Sequence, residues 1–115
     1  MWFTSCISLE FEKFYIILIM IGYIYIHTSP SNKSYIGQTR QKDVNKRWQR
    51  GNGYLKNNQN NPISKAIKKY GWKNFKHDIL EIVEEKDEEK LIYKLNQLEE
   101  DYILKLNTLH HLVII

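Results

Sequence analysis

The chain has 115 residues, which is enough for one small domain and too few for two. Its 43% hydrophobic and 13% aromatic content argues against a disordered polypeptide, and its single cysteine excludes both an internal disulfide framework and a cysteine-based zinc site. The net charge is only +4, but the charges are segregated: Lys33 to Lys76 holds twelve Lys or Arg and one acid, and His77 to Asp101 holds ten Asp or Glu and three Lys.

The basic stretch predicts a polyanionic partner. Each phosphate that a lysine or arginine neutralises releases condensed counterions, and this release favours binding to nucleic acid. A solvated, lysine-rich surface without a partner explains the same charges equally well. Charge alone therefore leaves both interpretations open.

An apolar segment lies near the amino terminus. Residues 14–26 carry no charge, but thirteen residues are fewer than the roughly 20 that span a bilayer. Glu10 and Glu12 precede the segment, where a signal peptide would carry positive charge. The later part is expected to be a buried strand, with a membrane anchor as the alternative. We predict an extension at residues 1–19, a folded domain at 20–109 and a divergent tail at 110–115.

A β-hairpin is predicted next. The β-rich run Tyr23–His27 is followed by "TSPSNKS", whose Pro, Ser and Asn favour a turn, and a second strand begins at Ser34. Period-two geometry places the two tyrosines and the histidine of the first strand on one face and its two isoleucines on the other. The isoleucines are expected to pack inward while the rings face a site.

The middle of the chain predicts two helices and a third strand. Asp43 is a good N-cap for a helix to Arg50, "GNGYLKNNQNNP" has the composition of a loop, and Pro62 suits the first turn of another helix. Gly71 is expected to end that helix. The third strand is predicted over Phe75–Val83.

A long helix is predicted from Asp87 onward. At about 100° per residue, Glu99 falls within its apolar stripe, in line with Leu95 and Ile103. A carboxylate on an inward face is costly unless it is paired or binds a metal. A metal ligand and a structural ion pair with a lysine are both consistent with this position.

Five segments in this order resemble the GIY-YIG nuclease family over about residues 20–109. They are "GYIYI", with Tyr23 in place of the usual glycine, "SYIGQT", "NKRWQR", the helix-turn-strand segment "AIKKYGWKNFKHDILEIV" and "LNQLEEDYILKLNT". The resemblance implies an α+β fold in which helices flank a small sheet of three antiparallel strands. It also implies hydrolysis of a DNA phosphodiester, and therefore an intracellular location in the cytoplasm or nucleus.

The resemblance assigns catalytic roles to four residues. Tyr25 is the expected general base, and Tyr35 would position the attacking water or the phosphate. Arg47 would stabilise charge on the phosphate, and Glu99 would hold one Mg²⁺ or Mn²⁺ ion. Each residue also has a structural alternative: the tyrosines as ordinary strand residues, and Arg47 as a surface residue whose stem covers Trp48.

Three further residues, Lys46, Arg50 and Tyr54, are predicted to contact the substrate. Many relatives carry a histidine or tyrosine one turn after the arginine, where this chain has Gly51, and Tyr54 is a candidate to substitute for it. Trp48 is expected in the core and His77 as a structural strand residue.

The carboxy-terminal sequence departs from the family pattern. The chain ends "LNTLHHLVII", without the "GYN"-like segment whose asparagine supports the family's site. The alternative function is therefore a catalytically weakened or inactive protein that binds nucleic acid. A separate partner is expected to supply any sequence specificity, and no stable membrane association is expected.

Overall fold

The computed structural model describes residues 19–56, 61–110 and 113–114. Short helices connect the second and third strands, and a long helix follows the third. The strands are β1 (Met20–Thr28), β2 (Lys33–Thr39), β3 (Lys76–Glu85) and β4 (Val113–Ile114), and the helices are α1 (Val44–Trp48), α2 (Asn52–Leu55), α3 (Pro62–Tyr70) and α4 (Glu88–His110).

One sheet with the strand order β3-β1-β2-β4 forms the centre of the fold. β1 pairs antiparallel with both β2 and β3, so the expected α+β fold with three antiparallel strands is confirmed. The two-residue strand β4 adds a parallel edge beside β2, which the sequence did not predict. The β1–β3 register shifts between Ile24 and Tyr25.

The predicted hairpin turn joins β1 to β2. The backbone amide of Ser29 donates to the Lys33 carbonyl over 2.8 Å, and that of Asn32 donates to the Ser29 carbonyl over 2.9 Å. Asn32 has a φ of 64°, in the left-handed region that asparagine tolerates better than most residues. The turn aligns the strands so that Gly37 lies opposite Tyr25, and Tyr35 opposite His27.

The sheet separates two hydrophobic cores, as the alternation along β1 predicts. We call the first the aliphatic core, in which α4 packs on the sheet; its buried members are Ile24, Ile26, Ile36, Val83, Leu91 and Leu95. We call the second the aromatic core, formed with α1, α2 and α3; its buried members are Tyr25, Trp48, Tyr54, Ile63, Ile67 and Phe75. Trp48 is thus in the core, as expected.

The predicted loop after the first helix is wrong in part. α1 ends at Trp48, and the chain then passes through three left-handed residues, Gln49, Arg50 and Gly51, with φ values of 48°, 54° and 93°. This reversal leads into α2, which returns Tyr54 to the aromatic core. Because two non-glycine residues adopt this conformation, at a cost of about 1–2 kcal/mol each, local propensity did not indicate it.

The predicted caps of the helices agree with the structure. Asp43 Oδ1 accepts the Asn45 amide at the start of α1, and the Gly71 amide donates to the Ile67 carbonyl at the end of α3. In the described ranges, no helix has the length and apolar character to cross a membrane. Most of the predicted extension at 1–19, and much of the predicted tail at 110–115, lies outside the described residues, so the domain boundaries stay predictions.

Candidate active site

Tyr25 lies at the centre of the aromatic core. Its side chain is buried, and its ring packs against the backbone of Gly37 on the neighbouring strand. A Cβ atom at position 37 would lie 2.8 Å from the ring and from the hydroxyl oxygen of Tyr25. Glycine at this position therefore allows the tyrosine to lie flat across β2.

Tyr54 contacts Tyr25 because α2 returns to the aromatic core. The Tyr54 hydroxyl donates to the Tyr25 hydroxyl over 3.0 Å and lies 2.8 Å from Nε2 of His27. Tyr54 is buried. The role predicted for Tyr54, a substrate contact, stays a prediction, since its hydroxyl faces protein groups in this structure.

Arg47 lies over Tyr54 and is half-buried. Its guanidinium carbon is 4.4 Å from the centre of the Tyr54 ring, and Nη1 donates to the Gly53 carbonyl over 3.0 Å. A Cβ atom at Gly53 would lie 1.9 Å from the Arg47 carbonyl oxygen, so only glycine fits where α2 passes α1. The arginine is thus held by the Gly53 carbonyl and the Tyr54 ring.

Tyr35 completes the group of rings. It is half-buried, its ring is parallel to that of His27 at 6.1 Å between centroids, and its edge meets Tyr54 at 5.6 Å. These contacts place Tyr25, Tyr35, Arg47 and Tyr54 in one cluster. Each of the four comes from a different element: β1, β2, α1 and α2.

Burial controls the ionisation of these phenols. Burial raises the pKa of Tyr25 above its usual 10, although the Tyr54 hydrogen bond and the charge of Arg47 act in the opposite direction. Burial, and next the proximity of Tyr25, raises the pKa of Tyr35. Both side chains are therefore neutral phenols near pH 7, and Tyr25 needs an acceptor for its proton if it is to act as a base.

Two histidines, which the sequence analysis did not place among the site residues, extend the cluster. His27 is fully buried, and its Nδ1 lies 2.9 Å from Nδ1 of His77. Burial, the facing His77 and the charge of Arg47 lower the pKa of His27 from 6.5 to about 3. The signal for His27 was its position two residues from Tyr25 on the same strand face, whereas His77 joins it only through the β1–β3 register.

Glu99 lies at the side of α4 that faces β2. Its Oε2 accepts a hydrogen bond from Nε2 of Gln38, which also donates to Oδ1 of Asn96 over 2.8 Å. Glu99 is half-buried, and its partner is this amide rather than the lysine of the alternative interpretation. The sequence analysis did not single out Gln38, which follows Gly37 directly in "SYIGQT".

The Glu99 carboxylate can be compared with what a magnesium ion requires. In the part of the chain that the structure describes, no three His, Cys, Asp or Glu side chains group together as metal ligands. Mg²⁺ does not need such a group, because it retains several waters and often binds through one or two carboxylates and the phosphates of the substrate. The half-buried Glu99 carboxylate fits that requirement as a single carboxylate ligand, whereas the Gln38 amide presents its N–H to Glu99 and orients the carboxylate rather than binding a cation.

Lys46 and Arg50 lie on the surface of the segment that carries Arg47. Both side chains are exposed, Lys46 on α1 and Arg50 in the left-handed reversal that follows it. Exposed cations suit contact with a phosphate backbone. Their predicted role stays a prediction.

Comparison with known proteins identifies one family. The model of the GIY-YIG catalytic domain matches residues 21–111, which is most of the chain. No curated protein and no solved structure matches significantly.

Proposed function

We propose that this protein, which belongs to the GIY-YIG nuclease family, is an endonuclease that cleaves DNA with the help of one divalent metal ion. Membership of the family indicates a nuclease-type hydrolase. The DNA substrate, the metal and the roles of individual residues constitute the proposal. An intracellular location in the cytoplasm or nucleus follows from a DNA substrate.

The observation that carries the proposal is the placement of a cation beside the tyrosines: the Arg47 guanidinium carbon lies 4.4 Å from the centre of the Tyr54 ring, whose hydroxyl donates to Tyr25 over 3.0 Å and whose ring contacts Tyr35. Arg47, from α1, and Glu99, from α4, both act on the pKa values of Tyr25 and Tyr35, the arginine lowering them and the glutamate raising them. A cation, a carboxylate and two phenols from four different elements therefore share one electrostatic environment. A reacting phosphodiester needs groups of these types.

Tyr25 acts as the general base in this proposal. Its oxygen removes a proton from the attacking water, and Tyr35 positions that water or the phosphate through its own hydroxyl. General-base catalysis of this kind contributes about 10²–10⁴-fold to a rate. Because burial raises the pKa of Tyr25, the base also depends on the groups bonded to it.

Arg47 stabilises negative charge that develops on the phosphate. A guanidinium holds a fork of N–H donors that match phosphate oxygens, and the contact with Gly53 fixes the side chain before the substrate binds. Lys46 and Arg50 on the adjacent surface contact neighbouring phosphates and guide the DNA backbone.

Glu99 holds the metal ion, Mg²⁺ or Mn²⁺, and Gln38 orients its carboxylate. When bound, such an ion supplies positive charge that stabilises the leaving oxygen. The Nε2 group of Gln38 donates to the carboxylate and so supports its position. This support favours an active enzyme over the inactive alternative.

The test is nicking of supercoiled plasmid by the purified protein with Mg²⁺ or Mn²⁺. Glu99→Gln should abolish nicking, whereas Glu100→Gln, the same change at the adjacent exposed position, should leave it intact. If the folded protein retards DNA in a gel without nicking it, the inactive, binding-only alternative holds. If Glu99→Gln nicks as fast as the unmodified protein, the metal role of Glu99 is wrong.

A further inference from the structure

A continuous chain of hydrogen-bonded side chains crosses the aromatic core. It runs from the Tyr25 hydroxyl to that of Tyr54 at 3.0 Å, and on to Nε2 of His27 at 2.8 Å. His27 Nδ1 then meets His77 Nδ1 at 2.9 Å, and His77 Nε2 meets the Trp72 carbonyl at 3.0 Å. Tyr25 and His27 are fully buried, and His77 is partly exposed.

The Trp72 carbonyl at one end of this hydrogen-bonded chain fixes one proton, that on Nε2 of His77. A carbonyl oxygen only accepts, so Nε2 of His77 carries a proton. When His77 is neutral, its Nδ1 must accept from Nδ1 of His27. Nε2 of His27 then accepts from Tyr54, and Tyr54 accepts from Tyr25. Every proton points away from Tyr25.

The protons of the hydrogen-bonded chain have a second consistent arrangement, in which Tyr54 donates to Tyr25 as in this structure. Tyr54 then accepts from Nε2 of His27, and the neutral His27 accepts at Nδ1. His77 must donate from Nδ1 as well as Nε2, so it is an imidazolium. The two arrangements differ by one proton displacement along each of the three bonds between Tyr25 and His77.

We propose that Tyr54 and His27 relay the proton of Tyr25 to His77, which makes Tyr25 a base in the nuclease function proposed above. Tyr25 transfers its proton to Tyr54, Tyr54 transfers its own to Nε2 of His27, and the Nδ1 proton of His27 passes to His77. The products are a Tyr25 phenolate and a His77 imidazolium. The phenolate takes a proton from the attacking water, and the imidazolium later releases one to solvent.

The surroundings favour His77 as the end of the relay. The buried His27 does not retain a proton, because burial, the facing His77 and Arg47 all lower its pKa. The guanidinium of Arg47 lies over Tyr54 in the hydrogen-bonded chain. Lys76 and Asp78 flank His77 on its own strand. His77 acts on the reaction only through Tyr25, as a positioning residue for its proton.

The first experiment needs neither DNA nor metal. The protein is labelled with ¹⁵N in its histidine rings, and the titration of His77 is followed by NMR. Tyr25→Phe removes the hydroxyl at one end of the relay, and Tyr54→Phe interrupts it in the middle. Each should move the titration midpoint of His77 by roughly half a pH unit or more, because linked groups titrate together.

Tyr23→Phe is the matched control for these variants. It removes a strand tyrosine hydroxyl that donates to the Lys42 carbonyl, outside the relay, and should leave His77 unchanged. An unchanged midpoint in Tyr54→Phe would overturn the relay. This result is distinguishable from failure of the proposed nuclease function, which would appear as a folded protein that does not nick.

The second experiment separates a relay from a structural role. His77→Asn keeps a side chain that can bond to Nδ1 of His27 but cannot take up a proton, whereas His77→Ala removes both properties. The relay predicts that both variants nick about tenfold more slowly or worse. Nicking restored in His77→Asn would overturn the proposal. Glu84→Gln, an exposed change on the same strand, controls for substitution in β3.

Discussion

The two cores on either side of the sheet are built from different chemistry. The aliphatic core, under α4, consists of isoleucine, valine and leucine side chains, and the aromatic core contains rings with polar ends that bond to one another. β1 contributes to both, with Ile24 and Ile26 on one side and Tyr25 and His27 on the other. One strand therefore contributes to stability on one face and, in the proposed function, to chemistry on the other.

The difference shows how a small domain can separate these two tasks. Aliphatic contacts have no preferred direction, and their contribution scales with the area that they bury. Hydrogen bonds between buried polar groups depend on distance and angle, and they fix each group in position. Changes in the aliphatic core should mainly affect unfolding, and changes in the aromatic core should mainly affect nicking.

Leu95→Ala gives the largest expected loss of stability. Leu95 is fully buried, and it packs where Gly22 leaves room for α4 against β1. The cavity should cost about 2–5 kcal/mol in the free energy of unfolding, measured by urea denaturation. Leu104→Ala, on the exposed side of the same helix, should cost much less. Equal losses in the two variants would contradict the aliphatic core as the source of stability.

Gly37→Ala tests the aromatic core. The added Cβ would lie 2.8 Å from Tyr25, so the ring must move, at a cost of about 1–3 kcal/mol. Nicking should fall by more than the loss of folded protein explains. Ile36→Val, which trims the aliphatic core at the next residue by one methylene, should cost about 1 kcal/mol and leave the nicking rate unchanged. Equal nicking rates in the two variants would contradict the division of roles between the two cores.

His27 should make folding pH-dependent. Its pKa is about 3 in the folded protein and 6.5 in the unfolded chain, so between these values the unfolded state binds more protons. The contribution of the neutral His27 to the free energy of unfolding is fully present above about pH 6.5. It decreases as the pH is lowered, by about 1.4 kcal/mol per pH unit. The free energy of unfolding, measured in urea, should differ less between about pH 7 and about pH 5 in His27→Gln than in the unmodified protein. An unchanged difference would exclude His27 as the cause.

The Arg40–Glu88 ion pair gives the smallest expected effect. Both side chains are about half or more exposed, at 49% and 61%. Arg40→Ala should change the free energy of unfolding by about 1 kcal/mol or less, and salt should reduce even that. A larger loss at high salt would show that the pair does more than join two solvated charges.

Much of this fold could be predicted from local patterns. The alternation around Tyr25, the turn chemistry at Pro30 and the cap at Asp43 each predicted a feature that the structure contains. The helical period likewise placed Glu99 on the side of α4 that faces the sheet, where it bonds to Gln38. These features follow from neighbours in sequence, whose geometry is set by the backbone.

The sequence by itself determined the family and the three antiparallel strands, and it singled out the four side chains proposed for catalysis. Only the tertiary structure joined His27 to His77, fifty residues apart, because that contact depends on the β1–β3 register. It also placed Tyr54 against Tyr25, through a left-handed reversal that local propensity disfavours and that the packing of the aromatic core stabilises. Contacts of this kind arise from the whole fold, and no short segment encodes them.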